Sequence, residues 1–204
     1  MKKIGEGAEA VIYSARFMSR SAVLKRRIPK CYRERAIDGP LRRQRTKNEA
    51  RALALARESG VRSPGVLLVT EYEILMDAMR GPMLSKRPPK SAKERRSIMR
   101  EIGAMAAALH NAGVAHGDYT PVNIIVSNGH ACVIDFGLAT MQPSVEDKAM
   151  DLILMKGSVT SEDYAIVLSA YRNLCADAPK VIRRINAIER RGRYKMRTME
   201  VAGA

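Results

Sequence analysis

The apolar positions fall into two regimes along the chain. Up to residue 80 they come in short runs broken by glycine and charge, and five of these have the length and composition of strands: 4–8, 10–15, 21–26, 66–70 and 73–79. The first two flank a glycine-containing turn, and the third ends in a basic cluster. Residues 41–58 stand apart: helical spacing and good helix formers predict a helix there, with Gly60 just past its end, where helices stop. Arg80-Gly81-Pro82 then breaks the pattern. Beyond it Ile98, Ile102, Met105 and Leu109 recur at helical spacing behind Ser91, a candidate cap. Short strands are predicted at 124–126 and 132–134 around the turn Ser127-Asn128-Gly129-His130, and helices at 145–156, 161–174 and 179–191. The chain reads as α+β, with a β-rich lobe carrying one helix over 1–80 and a reduced, mostly helical lobe over 81–204 that ends in a basic tail.

Composition narrows this picture. Hydrophobic residues make up 46% of the chain, too many for a disordered one. No apolar run approaches the roughly 18 residues of a membrane helix. Met1-Lys2-Lys3-Ile4-Gly5 has positive charge without an apolar stretch behind it, so no secretory signal is expected. Cys31, Cys132 and Cys175 show no Cys-x-x-Cys spacing and read as buried free thiols of a cytoplasmic protein. Lys and Arg number 36 against 21 Asp and Glu, a net charge of +15 that favours a polyanionic partner. The cations gather in residues 16–47 and again from Arg183 and Arg184 through Arg190, Arg191, Arg193, Lys195 and Arg197. With aromatics at 4% and no Trp, a base-stacking platform is not expected, so any RNA contact would be to phosphates and shape. Solvated surface or an acidic protein partner are the alternatives.

The chemistry sits in dispersed but ordered residues. There is no Gly-x-x-x-x-Gly-Lys-Ser/Thr string of the P-loop kind. Instead His116-Gly117-Asp118-Tyr119-Thr120-Pro121-Val122-Asn123 places an Asp and an Asn five positions apart in a loop. Asp135-Phe136-Gly137 follows directly on the apolar run Cys132-Val133-Ile134. Phosphoryl transfer needs metal ligands, a cation on the phosphates and a group that orients the acceptor. Asp118 suits the last role, Asn123 and Asp135 offer hard oxygens for Mg²⁺, and Lys25, held by Glu49 of the following helix, suits the phosphates. Glu49 has the alternative of facing solvent from a helix rich in Arg and Lys.

The sequence of parts resembles the eukaryotic-like protein kinases over residues 1 to about 155: glycine loop, strand Lys, helix Glu, hinge, His-x-Asp-x₄-Asn, then Asp-Phe-Gly. The resemblance implies a two-lobed protein-kinase-like fold with a minimal helical carboxyl lobe. It also implies an ATP site of Ile4, Gly5, Gly7, Val11, Lys25, Glu49, Met76, Asp77 and Met79, with Asp118 catalytic and Asn123 and Asp135 on the metal. His116 is expected to fix the loop backbone rather than act as a base. Asp151 is expected to brace that loop, and Asp147 either caps its helix or faces a partner. Several positions depart from the pattern. Ala10 takes the place of a third loop glycine, Gly117 replaces an Arg, Thr120 replaces a Lys, and no Ala-Pro-Glu follows Asp135-Phe136-Gly137. A peptide-docking platform of ordinary size is not expected in the stretch after Gly137.

These departures are similar to those of one family, PRPK, the small atypical kinase subunit of the KEOPS tRNA-modification complex. Leu24-Lys25-Arg26-Arg27-Ile28-Pro29-Lys30, Arg45-Thr46-Lys47-Asn48-Glu49-Ala50-Arg51, Asp135-Phe136-Gly137-Leu138-Ala139 and Arg190-Arg191-Gly192-Arg193-Tyr194-Lys195 carry the likeness. It implies an ATP- and Mg²⁺-dependent cytosolic ATPase with serine autophosphorylation, supporting threonylcarbamoyl modification of tRNA. Its partners would be an ASKHA-type transferase subunit and tRNA met through the basic tail, with no membrane. Two other readings remain open: a small-molecule kinase of the aminoglycoside or choline type, and a pseudokinase scaffold that binds RNA. Asp135-Phe136-Gly137 speaks against the first, and the joint presence of Lys25, Glu49, Asp118, Asn123 and Asp135 against the second.

Overall fold

The computed structural model describes residues 1–7, 9–89 and 91–202, with Arg35 and residues 192–202 described in backbone only. Five antiparallel strands open the chain: β1 (Lys2–Glu6), β2 (Ala10–Phe17), β3 (Arg20–Arg27), β4 (Val66–Val69) and β5 (Glu73–Asp77), in the order β1-β2-β3-β5-β4. The β2–β3 turn is a two-residue loop, Met18-Ser19, with both residues at positive φ (44° and 66°). That left-handed pair matches the twist of a hairpin, which explains why a turn without glycine closes here.

Helix α1 (Arg35–Glu58) lies between β3 and β4 and starts six residues before the expected Leu41. Pro40 does not break it, because so close to the amino terminus it removes a single ladder bond. Arg42 pairs with Asp38 one turn back at 2.6 Å and holds that first turn together. Strand β5 ends at Asp77, not at Met79, and Ala8 of the expected first strand lies outside the described residues.

Among the described residues the remainder is helical, apart from two short ladders. Helix α2 (Ala92–Asn111) is capped by Ser91, whose side chain accepts from the Glu94 N–H. After it come β6 (Val114–Ala115), a 3-10 turn at Pro121–Asn123, β7 (Ile124–Ser127), β8 (His130–Val133) and β9 (Thr140–Met141). β6 pairs with β9 and β7 with β8; Asn128-Gly129 closes the latter hairpin at φ of 50° and 79°. Helices α3 (Val145–Lys156), α4 (Ser161–Leu174) and α5 (Ala178–Ala202) complete the chain. Ser144 and Asp147 form a reciprocal capping box on α3, so Asp147 caps its own helix. The backbone of α5 runs through Gly192, since one glycine costs a helix only about 1 kcal/mol against alanine.

Ile98, Ile102, Met105 and Leu109 all point into one core with Leu152 and Met155 of α3, Val167 and Tyr171 of α4, and Val181 and Ile185 of α5. Gly103 lets α2 and α4 touch, since a Cβ there would meet the Val167 carbonyl oxygen at 2.2 Å. Cys132 and Cys175 are buried free thiols, whereas Cys31 is exposed, contrary to expectation, because it falls in the irregular link before α1. No described helix is long and apolar enough to cross a membrane.

Candidate active site

Strand periodicity sets the first half of the site. Side chains two apart on a strand share a face, and directly paired residues on neighbouring strands share it too. Gly5 pairs with Ile12, Ile12 with Lys25 and Lys25 with Ile74, so these form one row across the sheet; Val23 and Met76 form the next. Val11 pairs instead with Arg26 and falls on the opposite face. Ile12, which sequence reading passed over, therefore occupies the position given to Val11. An alternation count from Lys25 would have found it.

Lys25 and Arg27 reach from this face to α1. The Lys25 ammonium lies 2.5 Å from Glu49 Oε1 and 2.7 Å from Asp135 Oδ1, while Arg27 Nη2 lies 2.5 Å from Glu49 Oε2. Glu49 is 1% exposed, so it does not face solvent. Arg27 counted only as part of a basic cluster in sequence; its two-residue spacing from Lys25 was the available signal.

A loop supplies the second half. Asn123 Nδ2 donates to the Asp118 carbonyl oxygen at 3.0 Å and to Asp118 Oδ2 at 2.8 Å, which leaves the Asn123 side-chain oxygen for a cation. Asp135 stands in the left-handed region at φ 60°. Burial works to raise its pKa, but the Lys25 charge and hydrogen bond, with the Gly137 N–H, outweigh this and hold the carboxyl below its ordinary range. His116 ties the two loops together. Its Nδ1 faces the Asp118 N–H at 3.3 Å, so its Nε2 carries the hydrogen donated to the Ile134 carbonyl at 3.0 Å. Burial lowers its pKa and keeps the ring neutral. It supports the backbone on both sides of the site.

Among the described residues no three His, Cys, Asp or Glu cluster as a self-sufficient metal cage. Two hard oxygens, from Asn123 and Asp135, are what a Mg²⁺ ion needs when phosphates and water complete its octahedron. The space is kept open by Gly137, whose missing Cβ would lie 3.0 Å from Asp135 Oδ1 and 3.3 Å from Lys25 Nζ. The residues present fit the ion.

Beneath the loop lies a brace in buried side chains. Asp151 of α3 accepts from the His116 N–H at 2.6 Å and the Gly117 N–H at 2.8 Å. His110 Nε2 reaches the same carboxylate at 3.1 Å, and its Nδ1 meets the Tyr171 hydroxyl at 2.9 Å, which in turn takes the Cys175 thiol at 3.1 Å. His110, Tyr171 and Cys175 gave no sign of this in sequence, since their shared partners are set by how separate helices pack. Gly117 has φ 80°, and a Cβ there would meet the Leu138 carbonyl oxygen at 2.3 Å. The glycine in place of the usual Arg is thus required by the path of the chain.

The nucleotide-facing edge is less uniform. The Asp77 N–H is bonded to the Gly65 carbonyl at 2.9 Å and the Ala78 N–H to Ser21 at 3.2 Å, so neither is free for a base. Met76 is buried on the face of Lys25, Met79 borders an open cavity with Ala78 and Pro82, and Ile4 is largely exposed. Gly7 closes the loop by a bond to the Ala10 carbonyl at 2.9 Å. Glu9 of that loop is gripped by Arg33 at 2.8 Å and by Arg45 of α1 at 2.7 Å. The Arg33 hydrogen bond first, then Arg45, overcome partial burial and hold the Glu9 pKa down at about 2. Because the folded value lies below the unfolded one, the latch contributes fully above the ordinary carboxylate pKa and is lost as pH falls toward 2. A carboxyl ¹³C titration of Glu9 is expected to show its midpoint near 2; an ordinary midpoint would remove the latch.

A twisted sheet with one helix set over a helical part, with a strand Lys, a helix Glu and two carboxylate loops between them, defines a phosphotransferase of the protein-kinase-like class, in a reduced, atypical form. The comparisons agree. The RIO domain model matches residues 16–154. The KEOPS complex subunit Bud32 of Pyrococcus abyssi is 38% identical over 216 residues, covering 97% of this chain and 98% of that protein. A probable bifunctional tRNA threonylcarbamoyladenosine biosynthesis protein of Methanothermobacter thermautotrophicus is 36% identical over 199 residues, covering 94% of this chain; the chain spans 36% of that relative's length. Rio2 kinase from Chaetomium thermophilum superposes with a TM-score of 0.64 at 16% identity, over 93% of this chain and 71% of that one, which speaks for the fold alone. The chain belongs to the Bud32 family of RIO-domain atypical kinases. The resemblance to PRPK is thereby borne out.

Proposed function

We propose that the chain binds ATP with Mg²⁺ and moves or hydrolyses the γ-phosphate, as an atypical serine/threonine kinase and ATPase supporting threonylcarbamoyladenosine modification of tRNA in a KEOPS-type complex. The observation that carries this reading is the convergence of Lys25, Glu49 and Asp135 on one side and Asp118 with Asn123 on the other. Lys25, taken off Asp135, would bind the phosphates. Asp118 would orient the acceptor hydroxyl or water, held in place by the Asn123 amide. Asn123 and Asp135 would hold Mg²⁺, which supplies charge neutralisation on the phosphates when bound. Gly5, Gly7 and Ile4 would cover the nucleotide, with Met76, the Asp77 carbonyl and Met79 at the base and the lobe boundary at residues 80–81.

The partner this reading assigns is an ASKHA-type threonylcarbamoyl-transferase subunit, a pairing supported by the match to one part of a relative described as bifunctional. The setting is the cytoplasm. Mg²⁺-dependent ATP hydrolysis and serine autophosphorylation by the purified chain, with and without that subunit and tRNA, tests it. Turnover abolished by EDTA and altered by the assembled complex is expected; a chain that binds no nucleotide overturns it.

The basic end is assigned to tRNA. Helix α5 is anchored on α3 by the Arg184–Glu146 and Lys156–Glu189 ion pairs, both upstream of Arg190. Removing residues 190–204 is therefore expected to leave basal hydrolysis intact and weaken tRNA binding. The salt slope should fall by about 0.7 to 0.9 for each phosphate that the tail neutralises. Affinities measured at two salt concentrations check this, and an unchanged slope would leave the tail as solvated surface.

A further inference from the structure

Glu49 holds two cations, although the phosphate-binding role of Lys25 requires only one. Lys25 and Arg27, two apart on β3, each take one oxygen of the same carboxylate. The Arg27 side chain is 3% exposed, Glu49 is equally enclosed, and the Arg27 backbone is fixed as well: its N–H donates to the Tyr72 carbonyl at 2.8 Å and its carbonyl accepts from Arg42 of α1 at 3.3 Å. Among the described residues Arg27 Nε is buried with no partner, so the guanidinium has one carboxylate to serve. Lys25 differs: it is shared between Glu49 and Asp135. The four side chains carry two positive and two negative charges, a balanced set without any ligand.

We infer that Arg27 is a positioning residue that keeps Glu49, and α1 with it, turned inward, so that Lys25 can turn from Asp135 to the phosphates while the Glu49 carboxylate stays where it is. The inference rests on the proposed use of ATP. In a site with a single Lys–Glu pair, Lys25 moving toward phosphate would weaken the one bond holding Glu49. Here the second cation, on the same rigid strand, retains the carboxylate whatever Lys25 does. α1 is then held by contacts within the site itself.

The test uses the full chain with Arg27→Met, Arg27→Lys, Glu49→Gln and the double variant Arg27→Met/Glu49→Gln. Amide exchange along α1 is followed in nucleotide-free protein, together with ADP affinity and turnover. Arg27→Met is expected to speed exchange around Glu49 and to lower kcat by about 10²-fold, as a catalytic group misplaced by about 1 Å does, with ADP affinity changed far less. Arg27→Lys should restore part of both. Since Arg27 acts through Glu49, the double variant should be no slower than Glu49→Gln alone. Multiplying losses in the double variant would mean that Arg27 acts on the nucleotide directly and would overturn the inference, as would unaltered α1 exchange in Arg27→Met. Should Arg27→Met not fold, Arg27→Lys paired with Glu49→Gln carries the same cycle. A wild-type chain without turnover would refute the ATP reading, while the exchange arm would still decide what Arg27 does to α1.

Discussion

Asp135→Ala and Asp118→Ala are each expected to lower Mg²⁺-dependent ATP turnover by at least about two orders of magnitude, the scale on which phosphoryl transfer depends on positioning and electrostatics. The two losses should differ in kind. Asp135 is the partner of Lys25 and offers a cation its carboxylate alongside Asn123, so its removal should also weaken the Mg²⁺-dependent part of nucleotide binding. Asp118 is held by Asn123 and not by Lys25, and its loss should spare nucleotide affinity while turnover falls. Parallel binding and steady-state measurements on folded variants separate these outcomes. Near-normal turnover in either variant would sink the assignment of that residue.

What could be read from the sequence was whatever depends on short spacing. Helical recurrence at Ile98, Ile102, Met105 and Leu109 marked α2 and its buried face, and Asn128-Gly129 marked the β7–β8 hairpin, because both are local patterns. The ordered motifs around Lys25, Glu49, Asp118, Asn123 and Asp135 pointed to one site because the chemistry needs those residue types. Arrangements settled only by packing were not legible. Helix α1 begins at Arg35 rather than after Pro40, since Arg42 pairs with Asp38 one turn back and donates to the Arg27 carbonyl of β3. The Val11 assignment erred by one residue, which on a strand means the opposite face. The Glu9 latch joins a loop to a helix far along the chain and had no local signature. His110 had no local signature either, because its partners lie on α3 and α4.

Asp151→Ala is expected to be the most destabilising single change outside the apolar core. The carboxylate is 1% exposed and accepts from three donors: the His116 and Gly117 N–H groups and His110 Nε2. Alanine would leave the His116 N–H and His110 Nε2 buried without an acceptor and free the more exposed Gly117 N–H, and an unsatisfied buried donor costs about 1–3 kcal/mol. Allowing for relaxation, the loss should approach the roughly 3–5 kcal/mol seen when one partner of a buried charged network is removed. For a chain of this size that lowers Tm by about 6–20 °C, at about 2–4 °C per kcal/mol. The consequence reaches the chemistry, because the two backbone donors belong to residues immediately preceding Asp118. Freed from α3, the loop keeps its ties through the His116 ring to Ile134 and the Tyr119 hydroxyl to Ile102, but the backbone leading into Asp118 loses its acceptor, so turnover should fall even at temperatures where the variant stays folded. Asp151→Asn keeps the shape and one acceptor but turns an amide hydrogen toward a backbone donor, so it should recover only part of the loss. Thermal unfolding, with backbone ¹⁵N shifts of His116 and Gly117 as the local readout, decides the matter. A Tm within about 2 °C of the parent, less than the shift from a single kcal/mol, would show that the loop does not depend on this carboxylate.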